Sequence, residues 1–189
     1  MKKDMKYFIL QQDRRIEGQP TLKSCPDYIV PDEWIDGKTM AVPETPIPMV
    51  LAGASGDYRG CIIEGPVTLF HHRFIEELKR CGVENIQTFP VNLQNPEGEI
   101  ETRYSLINIL SLVEAVDVSK SVIEKRPMSR GRLKSFVIDP QLARGQRLFR
   151  LSEKPTLIII DETLKDQLEQ DYNPPGVLLL PTERFDGWG

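Results

Sequence analysis

The chain has 189 residues, of which 40% are apolar and 28% charged, a balance that supports a buried core and excludes a disordered polymer. Its apolar runs, such as Leu157 to Ile160 and Val177 to Leu180, fall far short of the ~20 residues a bilayer span needs. Twenty-four basic and 28 acidic residues give a net charge of −4, which argues against a general polyanion binder.

The first apolar stretch, Tyr7 to Leu10, is shorter than the roughly 7–15 residues of a secretory h-region. No membrane contact is implied, and the sequence predicts a cytoplasmic protein. Cys25, Cys61 and Cys81 form no CxxC pair, so they offer neither a disulfide framework nor a zinc site.

In chain order, residues 6–11 (KYFILQ) predict a strand of aromatic and β-branched type. Six prolines between Pro20 and Pro48 follow, and their density predicts extended loops or short edge strands over an irregular region, 1–60. A glycine-rich turn (53–60) and a strand at 61–65 lead into the segment 66–91. That segment resembles 155–182: each opens with a proline and an apolar strand, then a helix with apolar residues four apart, then a second strand. Phe70, Phe74 and Leu78 form the first stripe, Leu164 and Leu168 the second. Asp161 is a helix N-cap and Gly82 a C-cap residue by type. The sequence therefore predicts an α+β fold, a mixed sheet with two strand–helix–strand units whose stripes are buried against it, in a single domain, 1–189. Between them, residues 104–121 fit either a helix stripe or a strand that turns at Asp117. Strands are expected at 135–138 and 147–151.

The P-loop, Rossmann, GxSxG, HExxH and EF-hand patterns are absent from the sequence. His71 and His72, the two histidines, are adjacent and therefore point in different directions. They do not suit one metal ion, and a solvated first helical turn is preferred over an acid–base pair with Glu76 or a hydrolase site. Asp117 and Ser121 read as a turn held by side-chain-to-backbone bonds, and Asp139 likewise. Residues 121–150 carry eight basic residues against Glu124 and Asp139. This belt supports an alternative as a nucleic-acid-binding or regulatory module, but no aromatics interleave its run 126–134 for base stacking, and Phe136 and Phe149 lie inside apolar strand patterns, so nucleic acid is disfavoured. Two acidic–aromatic clusters remain as candidate protein contacts: Asp32, Glu33, Trp34 and Asp36, and Glu183, Phe185, Asp186 and Trp188. Trp34 has a competing role in the core.

From about residue 60 to 182 the chain resembles a bacterial immunity-protein family typified by a myxobacterial member. The carrying residues are VTLFHHRFIEELKRCGVENIQTFPV, a Tyr-led apolar stretch with an internal Asn (Tyr104, Asn108), the DxxxS of Asp117 and Ser121, and Leu148, Phe149, Arg150, Gly176 and Val177 near the end. This chain has Asn-Pro-Pro at 173–175 where the family usually has leucine and threonine before the Gly-Val. The resemblance implies an α+β immunity protein without catalysis or cofactor. Its partner would be one cognate antibacterial toxin of a polymorphic or type VI secretion system, a basic nuclease being the candidate suited to an acidic inhibitor.

Overall fold

Tyr7, Phe8, Ile9 and Leu10 are all buried, which puts the strand they open, β1 (Tyr7–Gln12), inside a sheet covered on both faces. The computed structural model describes residues 5–53, 56, 58–124 and 132–187. After β1 come β2 (Leu22–Ser24), β3 (Ile47–Leu51), β4 (Ile62–Ile63), β5 (Leu69–His71), α1 (His72–Arg80), β6 (Ile86–Gln94), β7 (Ile100–Glu101) and β8 (Tyr104–Ile109). The chain continues through β9 (Leu112–Val113), β10 (Ile123–Glu124), β11 (Arg132–Leu133), β12 (Leu148–Leu151), β13 (Lys154–Asp161), α2 (Glu162–Asp171) and β14 (Val177–Pro181). Two main sheets result, one ordered β14-β1-β13-β12-β9 and one ordered β2-β3-β6-β8-β5-β4, with β7 on β6; β10 and β11 form a separate hairpin.

Both strand–helix–strand units are present, and their likeness extends to register. In each, the two strands flanking the helix are separated by a third strand antiparallel to both. β8 fills that place between β5 and β6, and β1 fills it between β13 and β14. The residue that caps each helix faces a tyrosine: His71 lies opposite Tyr104, and Asp161 opposite Tyr7. Pro90 lies opposite Ser105 and Pro181 opposite Phe8, the residues that follow those tyrosines. One split unit thus borrows its middle strand from later in the chain, the other from its beginning.

The helical stripes meet in one core but not on one sheet. Phe70, Phe74 and Leu78 join Leu164, Leu168, Ile158 and Ile160 in a single cluster enclosed by both sheets. Each sheet packs its other face elsewhere, the first around Phe136 and Phe149 and the second around Trp34 and Phe89.

Several elements differ from the sequence expectation. Residues 31–35 form a 3-10 helix with Pro31 at its start, where a missing N–H costs nothing. Ile47–Leu51 is an interior strand rather than a loop or edge, parallel to β6 on one side. β2 pairs only with Val50 and Leu51, so Pro48 interrupts no bond to it. The ambiguous stretch 104–121 opens as a strand. All six β8 residues are buried, so alternation is erased and periodicity had nothing to report. Of residues 135–138, Ile138 forms a single bridge to Val116 rather than a strand. Asn173, the first residue of Asn-Pro-Pro, has φ +47° and donates its N–H to the Leu168 carbonyl, closing α2 as glycine often does.

The caps differ chemically. The Asp161 side chain accepts from Leu164 N–H at 2.7 Å, whereas His71 accepts from Arg73 N–H through Nδ1 at 3.2 Å. Acceptance requires that Nδ1 carry no proton, and burial, with Arg103 nearby, lowers the His71 pKa below its usual 6.5. The folded state therefore binds fewer protons than the unfolded chain, and this contribution is lost as pH falls below about 6.5. The thermal midpoint of wild type is expected to drop more between pH 7.5 and pH 5 than that of His71→Asn, whose cap does not titrate in that window; equal drops would remove this role.

Candidate functional site

β12 runs Leu148-Phe149-Arg150-Leu151, with Phe149 and Leu151 in one core cluster and Leu148 in the other. Strand alternation puts Arg150 on the face of Leu148, toward the space between the sheets. Arg150 is 2% exposed. Its Nη1 donates to the Pro155 carbonyl at 2.9 Å, while the buried Nε has no partner among the described residues. Burial alone pushes its pKa down to about 10, with no carboxylate acting on it among the described residues, so it stays charged at neutral pH. A buried cation in this state costs on the order of several kcal/mol.

Arg150 lies in the wall of a cleft of about 480 Å³ between the two sheets. Ile9, Leu10 and Ile158 line it from the first sheet, and Trp34 and Val67 line it opposite. Three further ionisable residues reach it: Arg14, Glu64 and Lys154. Arg14 Nη2 donates to Glu64 Oε2 at 3.2 Å, and the Glu64 N–H donates to Gln12 Oε1 at 3.1 Å. Burial raises the Glu64 pKa, which disfavours its negative form. Three cations against one carboxylate make this cleft positive within an acidic chain.

Of the two acidic–aromatic clusters, the first reaches the cleft through Trp34 and the second only through the contact of Lys154 with Phe185. Trp34 and Ile35 line it, and Lys154, another lining residue, holds its ammonium 5.6 Å from the centre of the Phe185 ring. Among the acidic members, Asp32, Glu33, Glu183 and Asp186 are exposed. Asp36 is half-buried, and its carboxylate accepts from Lys38 Nζ at 2.6 Å.

Two of the three aromatic members, Trp34 and Phe185, are buried rather than presented at the surface. Trp34 is 4% exposed and stacks edge-on against Phe89, ring centres 4.8 Å apart. Phe185, a candidate contact residue by sequence, is 3% exposed and packs edge-on against Phe136 at 5.7 Å. Both fill the core because their turns fold the ring inward, leaving Asp32 and Glu33 exposed in the first and Glu183, Arg184 and Asp186 in the second. Trp188 lies outside the described residues.

The other sequence candidates are structural in their contacts. His72 is exposed, with Nε2 3.1 Å from Ser105 Oγ, and His71 caps α1. Asp117 accepts from Ser119 N–H, Ser121 Oγ donates to the Asp117 carbonyl and accepts from Val137 N–H, and Asp139 accepts from Gln141 N–H; these are the turns their residue types predict. In the basic belt, Lys125, Arg126 and Arg130 lie outside the described residues. Arg132 donates to the Gly187 carbonyl, Lys134 pairs with Glu124, Arg147 donates to the Cys81 carbonyl and Gln167, and Arg150 is interior. Only Arg144 is exposed with no bond from its side chain among the described residues, so the described part of the belt is no continuous phosphate track. Among these residues no group of three or more His, Cys, Asp or Glu could hold a metal ion, and no helix is long and apolar enough to cross a membrane.

A second depression, about 990 Å³, has exposed apolar residues Leu112, Val118, Ile123 and Leu142 in its lining. Its buried polar demands are met: Glu153 accepts from Val116 N–H, and Ser111 donates to Gln146.

A family model for Imm11, an immunity protein family, matches residues 7–188. The chain belongs to that family. No curated protein matches the sequence. In this Imm11 chain the residues that carried the resemblance tie the two split units together. The buried Tyr104 hydroxyl donates to the Gly60 carbonyl at 2.7 Å. Gly60 approaches Gly176 so closely that a Cβ on Gly176, at φ +72°, would meet Gly60 Cα at 3.0 Å. The Gly176 carbonyl accepts from Asp13 N–H at 2.9 Å, joining that junction to the end of β1. Asn108 Nδ2 donates to the Lys38 carbonyl at 2.6 Å and to Gln87 Oε1 at 3.1 Å, fastening the irregular N-terminal segment to the second sheet. Arg150 is the exception, since no contact it makes needs a charge.

Replacing Arg150 by methionine removes a buried charge while keeping the volume, a change that often leaves stability equal or higher. Arg150→Met is expected to fold with a thermal midpoint at or above that of wild type by calorimetry. A drop of more than roughly 6 °C, about 2 kcal/mol for a chain of this size, would mean that the guanidinium is structural.

Proposed function

We propose that this Imm11 protein, acting as one immunity-type unit in the cytoplasm, binds a single cognate antibacterial toxin and neutralises it by covering its active site or substrate groove. The family match over residues 7–188 carries this reading; immunity to a toxin is what the family name denotes. A secretion-delivered or polymorphic toxin with nuclease activity is the target we favour. Such an enzyme presents a basic groove for its polyanionic substrate, and this chain has a net charge of −4.

Inhibition by coverage needs no turnover. It needs a surface already ordered before contact, which lowers the entropic cost of association, and charge opposite to the target, which speeds encounter and fixes register. The 3-10 turns at Pro31–Ile35 and Thr182–Arg184 meet both demands. Each is anchored by a buried aromatic ring, Trp34 or Phe185, and each carries exposed carboxylates. The expected contact surface therefore comprises Asp32, Glu33, Glu183 and Asp186 around the cleft mouth, with Trp34 and Phe185 as anchors beneath it. A standard interface of roughly 1,600 Å² in total would extend well beyond these four residues.

The direct test is co-expression with the toxin encoded next to this gene, followed by calorimetric titration of the two purified proteins. Rescue of growth and tight binding are expected. Reversing the four carboxylates to lysine should weaken binding at least tenfold, chiefly through slower association, and leave the thermal midpoint within about 2 °C. Absence of rescue and of heat with wild type would contradict the reading, and an unchanged affinity in the reversed variant would contradict this surface.

A further inference from the structure

Arg150 is a buried cation for which the described structure supplies no anion. Two other arginines in the same chain show what its geometry suits. Arg15 holds Asp13 through Nε and Nη2, both at 2.7 Å, and Arg103 holds Glu101 through the same two nitrogens. That side-on edge matches the two oxygens of a planar carboxylate. In Arg150 the Pro155 carbonyl occupies Nη1, on the opposite side of the guanidinium, and the Nε–Nη2 edge makes no hydrogen bond among the described residues. The unused edge belongs to a residue lining a cleft of about 480 Å³, within the range of small-molecule sites.

The remaining walls narrow the ligand. Ile9, Leu10, Trp34, Val67 and Ile158 offer apolar surface beside the guanidinium, which suits a hydrocarbon or aromatic body. One free guanidinium edge matches one negative group, and Glu64 in the same cleft opposes a ligand with more charge. This favours a monocarboxylate over a phosphate. Lys154, also lining the cleft, adds long-range attraction without competing for the edge.

We propose that the inter-sheet cleft binds a carboxylate carried on an apolar body, paired with the guanidinium of Arg150 in the cleft wall. The carboxylate has two possible sources, a free organic acid or an acidic side chain that the bound toxin inserts. The second rests on the immunity reading above; the first does not.

The probe is hexanoate, with hexanamide as its neutral counterpart, titrated into the full chain in a Trp188→Phe background that leaves Trp34 as the reporter. Hexanoate is expected to raise the thermal midpoint by roughly 3 °C at ten times its Kd and to change Trp34 emission, whereas hexanamide does neither. Arg150→Met should lower hexanoate affinity at least tenfold. Arg150→Lys, which keeps the charge but loses the paired donors, should fall between them and guards against a methionine variant that fails to fold. Equal responses to acid and amide, or variants that bind hexanoate as wild type does, would overturn the proposal. The toxin arm names the source: competition by hexanoate, with a complex weakened tenfold by Arg150→Met, assigns a toxin side chain, and an indifferent complex assigns a free acid. If wild type binds no toxin at all, the immunity reading fails while the hexanoate titration still decides the cleft.

Discussion

Neither split unit can bury its helix alone. α1 and α2 each have one apolar stripe, α1 packing on β5 and α2 on β13 and β1, and the strands' inner faces must also be hidden from water. The solution is a single cluster in which Phe74 and Leu78 of α1 and Leu164 and Leu168 of α2 share an interior with Ile107, Ile158 and Ile160. The rest follows from this shared burial. It forces the two sheets to face one another, and it demands close approach of their connecting segments at Gly60 and Gly176. On the other face of the second sheet, Tyr104 packs in the cluster around Trp34 and Phe89, and its hydroxyl donates to the Gly60 carbonyl.

Two twisted sheets that converge on a common core diverge elsewhere, and the cleft beside Arg150 lies where their walls part. A protein selected only for stability would fill such a place with a leucine in β12, as it does one turn of alternation earlier at Leu148. Retaining a guanidinium costs free energy that its one hydrogen bond among the described residues, to the Pro155 carbonyl, offsets only in part. Functional sites are where such local inconsistencies concentrate. On the proposed contact surface, the exposed carboxylates of the turns at 31–36 and 182–186 would lie beside a positive recess, a combination of both signs that favours register over mere attraction.

The two strand–helix–strand units were legible because a strand with an apolar end, a capping residue and a four-residue apolar spacing are local signals. Their pairing was not, since the strand that completes each unit comes from a distant part of the chain. β8 escaped assignment for the opposite reason: complete burial of Tyr104 to Ile109 removes the alternation that marks a strand. The carboxylates of the candidate surface could be read from composition, but Trp34 and Phe185 could not be placed, because a single ring in a short, charged turn is equally able to fold in or out. Arg150 was grouped with a basic belt by sequence proximity. The available signal was its position, a charge within the apolar run of β12 facing the apolar run of β13.

The central claim is that this protein acts by covering a toxin with the surface around the inter-sheet cleft. Hydrogen exchange of the chain, free and saturated with its cognate toxin, tests it most directly. Slowed exchange at 31–36, 64–68, 154–157 and 182–186, with the sheet cores unchanged, is the predicted result. Protection confined to the opposite end of the sheets or to the depression beside Val118 and Leu142, with those four segments unaffected, would contradict it.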